Sequence, residues 1–170
     1  MGDHRLHPMH ERYTEGVFVG YRYYDTFGER VAFPFGHGLS YTSFEYSGLE
    51  LVKTGECECV VSFDVTNTGT VRGKEIAEVY VRDVLSAVPR PEKELKGYEK
   101  VDLAPGETKR VSISLDRRAF AYYNTSLHDW YIENGAFEIL VGASSRDIRL
   151  VGKLEITQPY AAQMSLSIRR

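Results

Sequence analysis

The sequence predicts an all-β sandwich, for two reasons. From Leu49 onward, short runs of apolar residues alternate with polar ones, which places one face of each run in a core and the other in water. Turn-forming residues separate these runs at short intervals, and no segment of useful length has the periodicity of a helix. We therefore expect about seven short strands within residues 44–157.

The expected strands share an alternating pattern, and the clearest case places Cys57, Cys59, Val61, Phe63 and Val65 on one face. The seven runs lie at Leu49–Leu51, 57–66, Ile76–Val81, within Glu94–Leu103, and at Val111–Leu115, Ala136–Val141 and Ile148–Ile156. This series is typical of an immunoglobulin-like or fibronectin type III-like sandwich. The Cys…Trp…Cys spacing of antibody domains is missing, and we interpret both cysteines as small buried hydrophobic residues.

Local signals predict several connections between the strands. Pro105 and Gly106 fit the two central positions of a type II turn. Asn134-Gly135 predicts a hairpin turn of the primed type, because both residues tolerate positive φ. Asp116 is expected to cap one helical turn.

An aromatic segment precedes the sandwich and fits neither a regular strand nor a helix. Between Glu15 and Tyr46 the chain holds ten Phe and Tyr residues and five glycines. Aromatic side chains bring large apolar area, and glycine lets two backbones approach closely. We call Glu15–Ser43 the strap and expect it to pack across a surface. Its predicted interface residues are Phe18, Tyr21, Tyr23, Tyr24, Phe33, Phe35 and Tyr41.

The predicted organisation has three parts. Residues 1–43 form a polar tail and the strap, 44–157 form the sandwich, and 158–170 form a C-terminal tail. His4, His7 and His10 recur at three-residue spacing in the polar tail. This spacing would allow a metal site, but we interpret the segment as a mobile tail. His37, between two glycines of the strap, is expected to make a structural hydrogen bond.

Composition and motifs exclude several classes of function. The net charge of −3 is mixed in sign, so no basic stripe for nucleic acid is expected. No apolar run approaches the ~20 residues of a membrane span. No phosphate-binding loop, nucleophile elbow or metal-ligand spacing is present, so no catalytic residue, cofactor or metal is predicted.

Two groups of side chains are of the types that contact carbohydrate. Asp25, Glu29 and Glu45 lie near aromatic residues, and we interpret them as solvent-facing charges rather than a glycosidase pair. Trp130, Tyr122 and Tyr123 form the aromatic cluster expected to be the best exposed, and they are candidate carbohydrate contacts. Packing in the core or on another domain is the competing interpretation. Asn124-Thr125-Ser126 is a glycosylation pattern that matters only in a secreted protein.

Long motifs give the sequence a specific resemblance. EGVFVGYRYYD and FPFGHGLSYTSFEYS, followed by VSFDVTNTGTVRGKEIAEVYV, RPEKELKGYEKVDLAPGET and NGAFEILVGASS, resemble the C-terminal region of glycoside hydrolase family three β-glucosidases. The match runs in order from about Tyr13 to Ile156, covers the strap and a fibronectin type III-like module, and looks closest to the fungal and yeast type.

The resemblance implies an accessory module without catalytic residues of its own. In this family an upstream barrel supplies an aspartate nucleophile and an upstream α/β domain supplies a glutamate acid/base, and neither maps onto this chain. The implied partners are those catalytic domains and, through the parent enzyme, a β-glucoside or glucan such as cellulose. The parent would be secreted; no signal peptide is visible here, which leaves a cytoplasmic location open. A carbohydrate- or polymer-binding module is the alternative. On its own the chain should either expose a sticky strap or fold the strap back onto the sandwich.

Overall fold

Seven long strands form a sandwich of two antiparallel sheets in the computed structural model, which describes residues 14–157 and 160–162. One sheet has the order β1-β2-β5 and the other the order β4-β3-β8-β9. The elements are α1 Tyr21–Thr26, β1 Phe44–Gly55, β2 Glu58–Asn67, β3 Gly73–Asp83, β4 Glu94–Leu103, β5 Thr108–Leu115, α2 Arg117–Phe120, β6 Tyr122–Asn124, β7 Asp129–Ile132, β8 Gly135–Ser144, β9 Asp147–Ile156 and β10 Tyr160–Ala162. The all-β sandwich prediction is confirmed, because each of the seven predicted runs lies in or overlaps one of the seven sandwich strands.

The core lies between the inner faces of the two sheets. Phe63 of β2, Val79 of β3 and Ile139 of β8 are fully buried there, as the alternating patterns require. Cys57 and Cys59 are buried and free, which confirms their interpretation as small hydrophobic residues.

Two of the predicted connections are confirmed by backbone geometry. Gly106 has a φ of +74° and the Glu107 amide donates to the Ala104 carbonyl at 3.0 Å, as a type II turn requires. The Asp116 side chain accepts a hydrogen bond from the Arg118 amide at 2.9 Å, which caps α2.

The predicted hairpin at Asn134-Gly135 is wrong. The flanking strands β7 and β8 belong to different sheets, because β7 pairs with β6 and β10 whereas β8 pairs with β3 and β9. Gly135 has a φ of +147°, but the end of β3 holds the chain here through a bond from the Val84 amide to the Ala136 carbonyl at 3.1 Å. Long-range strand pairing therefore overrides the local turn preference.

A third, small sheet with the order β10-β7-β6 lies beside the sandwich. It draws β10 from the segment predicted as a C-terminal tail, and Tyr160 of β10 pairs with Ile132 of β7. The strap also contains regular structure, the six-residue helix α1, where the sequence had predicted none. His4, His7 and His10 lie outside the described residues.

The four-stranded sheet is buried on both faces at β3. Ala77, Val79 and Val81 belong to the core, while Glu78 and Tyr80 alternate with them and are also buried. A solvated outer face would leave alternate residues exposed. Some other part of the chain must therefore cover the outer face of β3.

Candidate functional site

The strap provides that cover. Tyr21 of α1 meets the buried ring of Tyr80 edge-on, with 6.1 Å between the ring centroids, and Phe35 stacks on Tyr21 at 4.6 Å. The Tyr21 hydroxyl accepts a hydrogen bond from the Leu95 amide of β4 at 2.8 Å. Tyr21 therefore joins the strap to two neighbouring strands of the sheet, through its ring and through its hydroxyl.

Glu78 lies beside Tyr80 beneath the strap. Its carboxylate accepts a hydrogen bond from the Tyr80 hydroxyl at 2.5 Å. Burial raises the pKa of the Glu78 carboxyl above its usual range, although this hydrogen bond acts in the opposite direction. Gly36 passes over the carboxylate with a φ of +80°, and a Cβ at that position would collide with the Glu78 oxygens. Only glycine meets both requirements without strain.

Asp25 ties α1 to the sandwich by charge. Its side chain is only 4% exposed, and Oδ1 accepts a hydrogen bond from Nε of Arg146 at 2.7 Å. The Lys93 ammonium lies 3.5 Å from Oδ2, an ion-pair contact without hydrogen-bond geometry. The expectation that Asp25 is a solvent-facing charge is wrong, because the strap folds this carboxylate against the sandwich.

Backbone groups complete the attachment of the strap. Arg146 donates to the carbonyls of Tyr24 and Glu29 at 3.1 and 2.7 Å. The neighbouring Ser145 amide donates to the Phe35 carbonyl at 2.8 Å, so the β8–β9 turn holds both halves of the strap. These bonds satisfy three strap carbonyls with donors from a single turn of the sandwich.

The opposite side of the strap presents aromatic side chains to solvent. Phe27, Phe33 and Tyr41 are 56%, 73% and 101% exposed, and Tyr23 and Tyr24 are also exposed. Phe27 contacts Tyr23 and Phe18, with centroids 4.8 and 5.4 Å apart. The rings of Phe18, Tyr23, Tyr24 and Phe27 line an open groove of about 450 Å³. The strap therefore has an inner face that fits the sandwich and an outer face suited to an apolar partner.

A second groove, of about 480 Å³, lies between the strap, β4 and the small sheet. Tyr122, Tyr123 and Trp130 all line it. Trp130 is partly buried, packs against the core, and has the Arg118 guanidinium 3.6 Å over its ring. Tyr123, about half exposed, is the more accessible ring and meets Trp130 edge-on at 5.8 Å. The expectation that Trp130 leads the best-exposed aromatic cluster is therefore wrong.

Charged side chains of both signs line the same groove around Glu94 of β4. Its carboxylate lies 2.8 Å from the Lys96 ammonium, 3.3 Å from the Arg90 guanidinium and 3.5 Å from that of Arg22 in the strap. Burial acts to raise the pKa of the Glu94 carboxyl, but the three cations outweigh it, and the pKa lies below its usual range. Burial lowers the pKa of the Lys96 ammonium, with Glu94 acting against that shift.

Known proteins match both the sequence and the fold. A model of the fibronectin type III-like domain matches residues 75–145. The thermostable β-glucosidase B of Acetivibrio thermocellus is 60% identical over 141 residues, which are 81% of this chain and 19% of that protein. The crystal structure of a GH3 β-glucosidase from Bifidobacterium adolescentis is similar with a TM-score of 0.82 and 47% identity, over 84% of this chain and 21% of that one. The chain is a fibronectin type III-like module of the glycoside hydrolase family 3 β-glucosidases.

This fibronectin type III-like module spans about a fifth of the length of those relatives. The β-glucosidase of Kluyveromyces marxianus, solved in complex with glucose, is similar over 88% of this chain and 18% of its own, with a TM-score of 0.84 and 44% identity. The coverage exceeds the 71 residues from 75 to 145 that the domain model matches. The strap and the first strands are therefore part of what the relatives share with this chain.

The predicted interface residues differ in how they pack. Tyr21 contacts Tyr80 of the sandwich, and Phe35 stacks on Tyr21 while staying 44% exposed. The other five, Phe18, Tyr23, Tyr24, Phe33 and Tyr41, are partly or fully exposed. That the exposed members bind a partner stays a prediction. His37 stacks on Phe33 at 5.3 Å.

Sequence reasoning missed Phe27 on the outer face and the Asp25–Arg146 pair on the inner one. The sequence Ala77-Glu78-Val79-Tyr80-Val81 does carry a signal for the covered face. Tyr80 lies on the face of the strand opposite Ala77, Val79 and Val81, and a large aromatic residue there indicates that both faces are buried. Among the described residues, no three His, Cys, Asp or Glu side chains are grouped to hold a metal ion. No helix in the described part of the chain is long and apolar enough to span a membrane.

Proposed function

We propose that this chain serves as the C-terminal accessory module of a β-glucosidase and is catalytically silent alone. The parent enzyme would hydrolyse terminal β-D-glucosyl residues of glucosides or glucans, including those released from cellulose. The 60% identity to a β-glucosidase of which the match covers only 19% supports this proposal. The nucleophile and the acid/base would come from upstream domains, in line with the sequence resemblance.

The outer face of the strap carries the structural part of the proposal. Its exposed rings, among them Phe27 and Phe33, add apolar surface of a kind that soluble monomers seldom leave uncovered. Burying one Phe or Tyr contributes roughly 1.5–3 kcal/mol, so two or three of these rings would hold a neighbouring domain. We assign the outer face, which includes Phe27 and Phe33, to the upstream catalytic domains.

The fungal or yeast type and the location of the parent are finer points of the same proposal. The 44% identity to the Kluyveromyces marxianus enzyme supports a fungal or yeast type, and the 60% identity to the Acetivibrio thermocellus enzyme favours a bacterial one. A secreted location fits a parent enzyme that acts on polymeric glucans. In that setting Asn124, the first residue of a glycosylation pattern, would become an acceptor.

Complementation between separate chains tests the proposal. The Acetivibrio thermocellus enzyme, shortened before its matching segment, would be assayed on an aryl β-glucoside with and without this 170-residue chain. We expect no turnover by the chain alone, weak turnover by the shortened enzyme, and recovery on mixing. Turnover by the chain alone would overturn the proposal, as would a mixture that neither associates nor recovers activity.

A pair of variants locates the contact. Phe27→Ala with Phe33→Ala removes two outward rings, each worth roughly 1.5–3 kcal/mol if buried, so association should weaken at least about a hundredfold. Tyr98→Ala is the matched control, because Tyr98 is about as exposed but belongs to β4 rather than to the strap. Equal weakening by both changes would show that the outer face is not the contact.

A further inference from the structure

The groove between the strap, β4 and the small sheet has the size and the lining of a ligand site. Its volume of about 480 Å³ lies within the range of ~300–1,000 Å³ found for small-molecule pockets. The strap contributes Val17 and Arg22 to one wall, and β6 contributes Tyr123 and Asn124 to the other. The docked strap therefore completes one wall of the groove.

One wall of the groove is aromatic. Tyr123 and Trp130 are cross-strand partners in β6 and β7, and their rings make an edge-to-face contact at 5.8 Å. Because Arg118 covers one face of the Trp130 indole, Tyr123 supplies the accessible ring surface. Such a surface suits a flat ligand that has an apolar face and a polar rim.

The floor of the groove is polar, with three cations around one carboxylate. Arg22 and Lys96 together carry more N–H donors than the single Glu94 carboxylate can accept, particularly since Arg90 shares it. Glu94 in turn supplies a hydrogen-bond acceptor among these donors. Hydroxyl groups both donate and accept hydrogen bonds, so a polyhydroxylated ligand matches this arrangement.

Titratable groups with shifted pKa values in a cleft add to the case. Glu94 and Lys96 are displaced in pKa by burial and by each other, as described above. Groups of this kind gather at functional sites, although structural ion pairs produce the same signature. In this groove Glu94 and Lys96 lie beside the accessible ring of Tyr123. An ion pair with a purely structural role would not require an exposed aromatic ring next to it.

We propose that this groove binds one pyranose unit of a neutral gluco-oligosaccharide, with Tyr123 as the stacking surface and Arg22, Glu94 and Lys96 as the hydroxyl-binding groups. This role goes beyond that of an accessory module and does not depend on the upstream domains. The sugar would rest on the accessible ring of Tyr123, and its rim hydroxyls would meet the charged floor. A module of this kind would hold a glucan chain close to an attached enzyme.

Intrinsic fluorescence tests the proposal without a label, because the chain has a single tryptophan, Trp130, and it lines the groove. Cellotetraose would be titrated into the full 170-residue chain. We expect a saturable change in Trp130 emission. Tyr123→Ala should weaken binding about tenfold, the loss expected for one aromatic contact, whereas the exposed Tyr98→Ala outside the groove should leave it unchanged.

A second measurement keeps the test decisive if Tyr123→Ala fails to fold. In the unaltered chain labelled with ¹⁵N, cellotetraose should shift the Trp130 indole N–H and the backbone amides of residues 122–126, but not those of β1.

Several results would overturn the proposal. These are no saturable change up to about 10 mM cellotetraose, or equal weakening by Tyr123→Ala and Tyr98→Ala. A Trp130 response to the upstream domains of a β-glucosidase but not to cellotetraose would make the groove a domain contact instead. Failure of the complementation assay would leave this test unaffected, because it uses the module alone.

Discussion

Replacing Asp25 with Asn should loosen the strap while the sandwich stays folded. The change removes the negative charge that faces Lys93 and Arg146, and leaves the Lys93 ammonium, only 8% exposed, without its closest counter-charge. Removing one partner from a buried pair costs about 3–5 kcal/mol. Arg146 is one-third exposed and Glu92 lies 3.8 Å from the Lys93 ammonium, and both reduce the penalty. We therefore expect a loss of about 2–3 kcal/mol.

Thermal unfolding and hydrogen exchange would measure this loss. At about 2–4 °C per kcal/mol for a domain of this size, Tm should fall by about 4–12 °C. Amides of α1 should exchange faster than those of β2, because the strap is the element released.

A matched surface pair provides the control. Asp102 binds Arg72 at 2.8 Å, about the distance of the Asp25–Arg146 bond, but both side chains are 40% or more exposed. Asp102→Asn should therefore cost less than about 1 kcal/mol. Adding Lys93→Met to Asp25→Asn should recover part of the loss, because it removes the unpaired ammonium. Equal costs for the two Asp→Asn changes, or unchanged exchange in α1, would refute the assignment of Asp25 as an anchor.

Two further predictions concern the contact of Gly36 with Glu78. Gly36→Ala should release the strap, because the position has positive φ and the new methyl group meets the Glu78 carboxylate. Limited proteolysis should then cleave the strap faster. Gly38→Ala is the control and should have little effect, because the space around Gly38 is open. The raised pKa of Glu78 means that the folded chain binds more protons than the unfolded chain just above the usual carboxyl range. Its contribution to stability should fall as pH rises through that window, so Glu78→Gln should stabilise the chain more at pH ~7 than at pH ~4. An equal effect of Glu78→Gln at both pH values would contradict the account of Glu78.

The parts of the fold that were predictable from sequence rest on local signals. The alternation through Phe63 and Val65 requires a half-buried strand in any sandwich, and Pro105-Gly106 specifies its turn within four residues. Asn134-Gly135 carries an equally strong local signal, yet the turn it predicted is absent because the pairing partners of β7 and β8 lie elsewhere in the chain. The local residues determine which turns are possible, and the long-range pairing of strands determines which of those turns form.

The candidate sites were harder to predict for the same reason. The hydroxyl of Tyr21 and the carboxylate of Asp25 have their partners at Leu95 and Arg146, more than 70 and 120 residues away. No spacing rule within the strap indicates those contacts. The aromatic content of the strap did indicate an interface, but it could not show that this interface has two sides. Trp130 gives the converse case, since a lone tryptophan in a polar loop proved to be packed against the core.

The periodicity of α1 explains how one short helix serves both faces of the strap. Tyr21 and Asp25 are four residues apart and therefore lie on the same side, towards the sheet, whereas Tyr23 and Phe27 are offset by two residues and lie on the opposite side. The boundary between residues 43 and 44 thus divides the chain by secondary structure but not by packing, because Tyr21 and Gly36 of the strap lie against Tyr80 and Glu78 of β3. A chain that began at Phe44 would lose these contacts with a buried tyrosine and a buried carboxylate. We therefore expect the strap to fold as part of the sandwich, and its outer aromatic face is the surface that we propose for contact with the upstream domains.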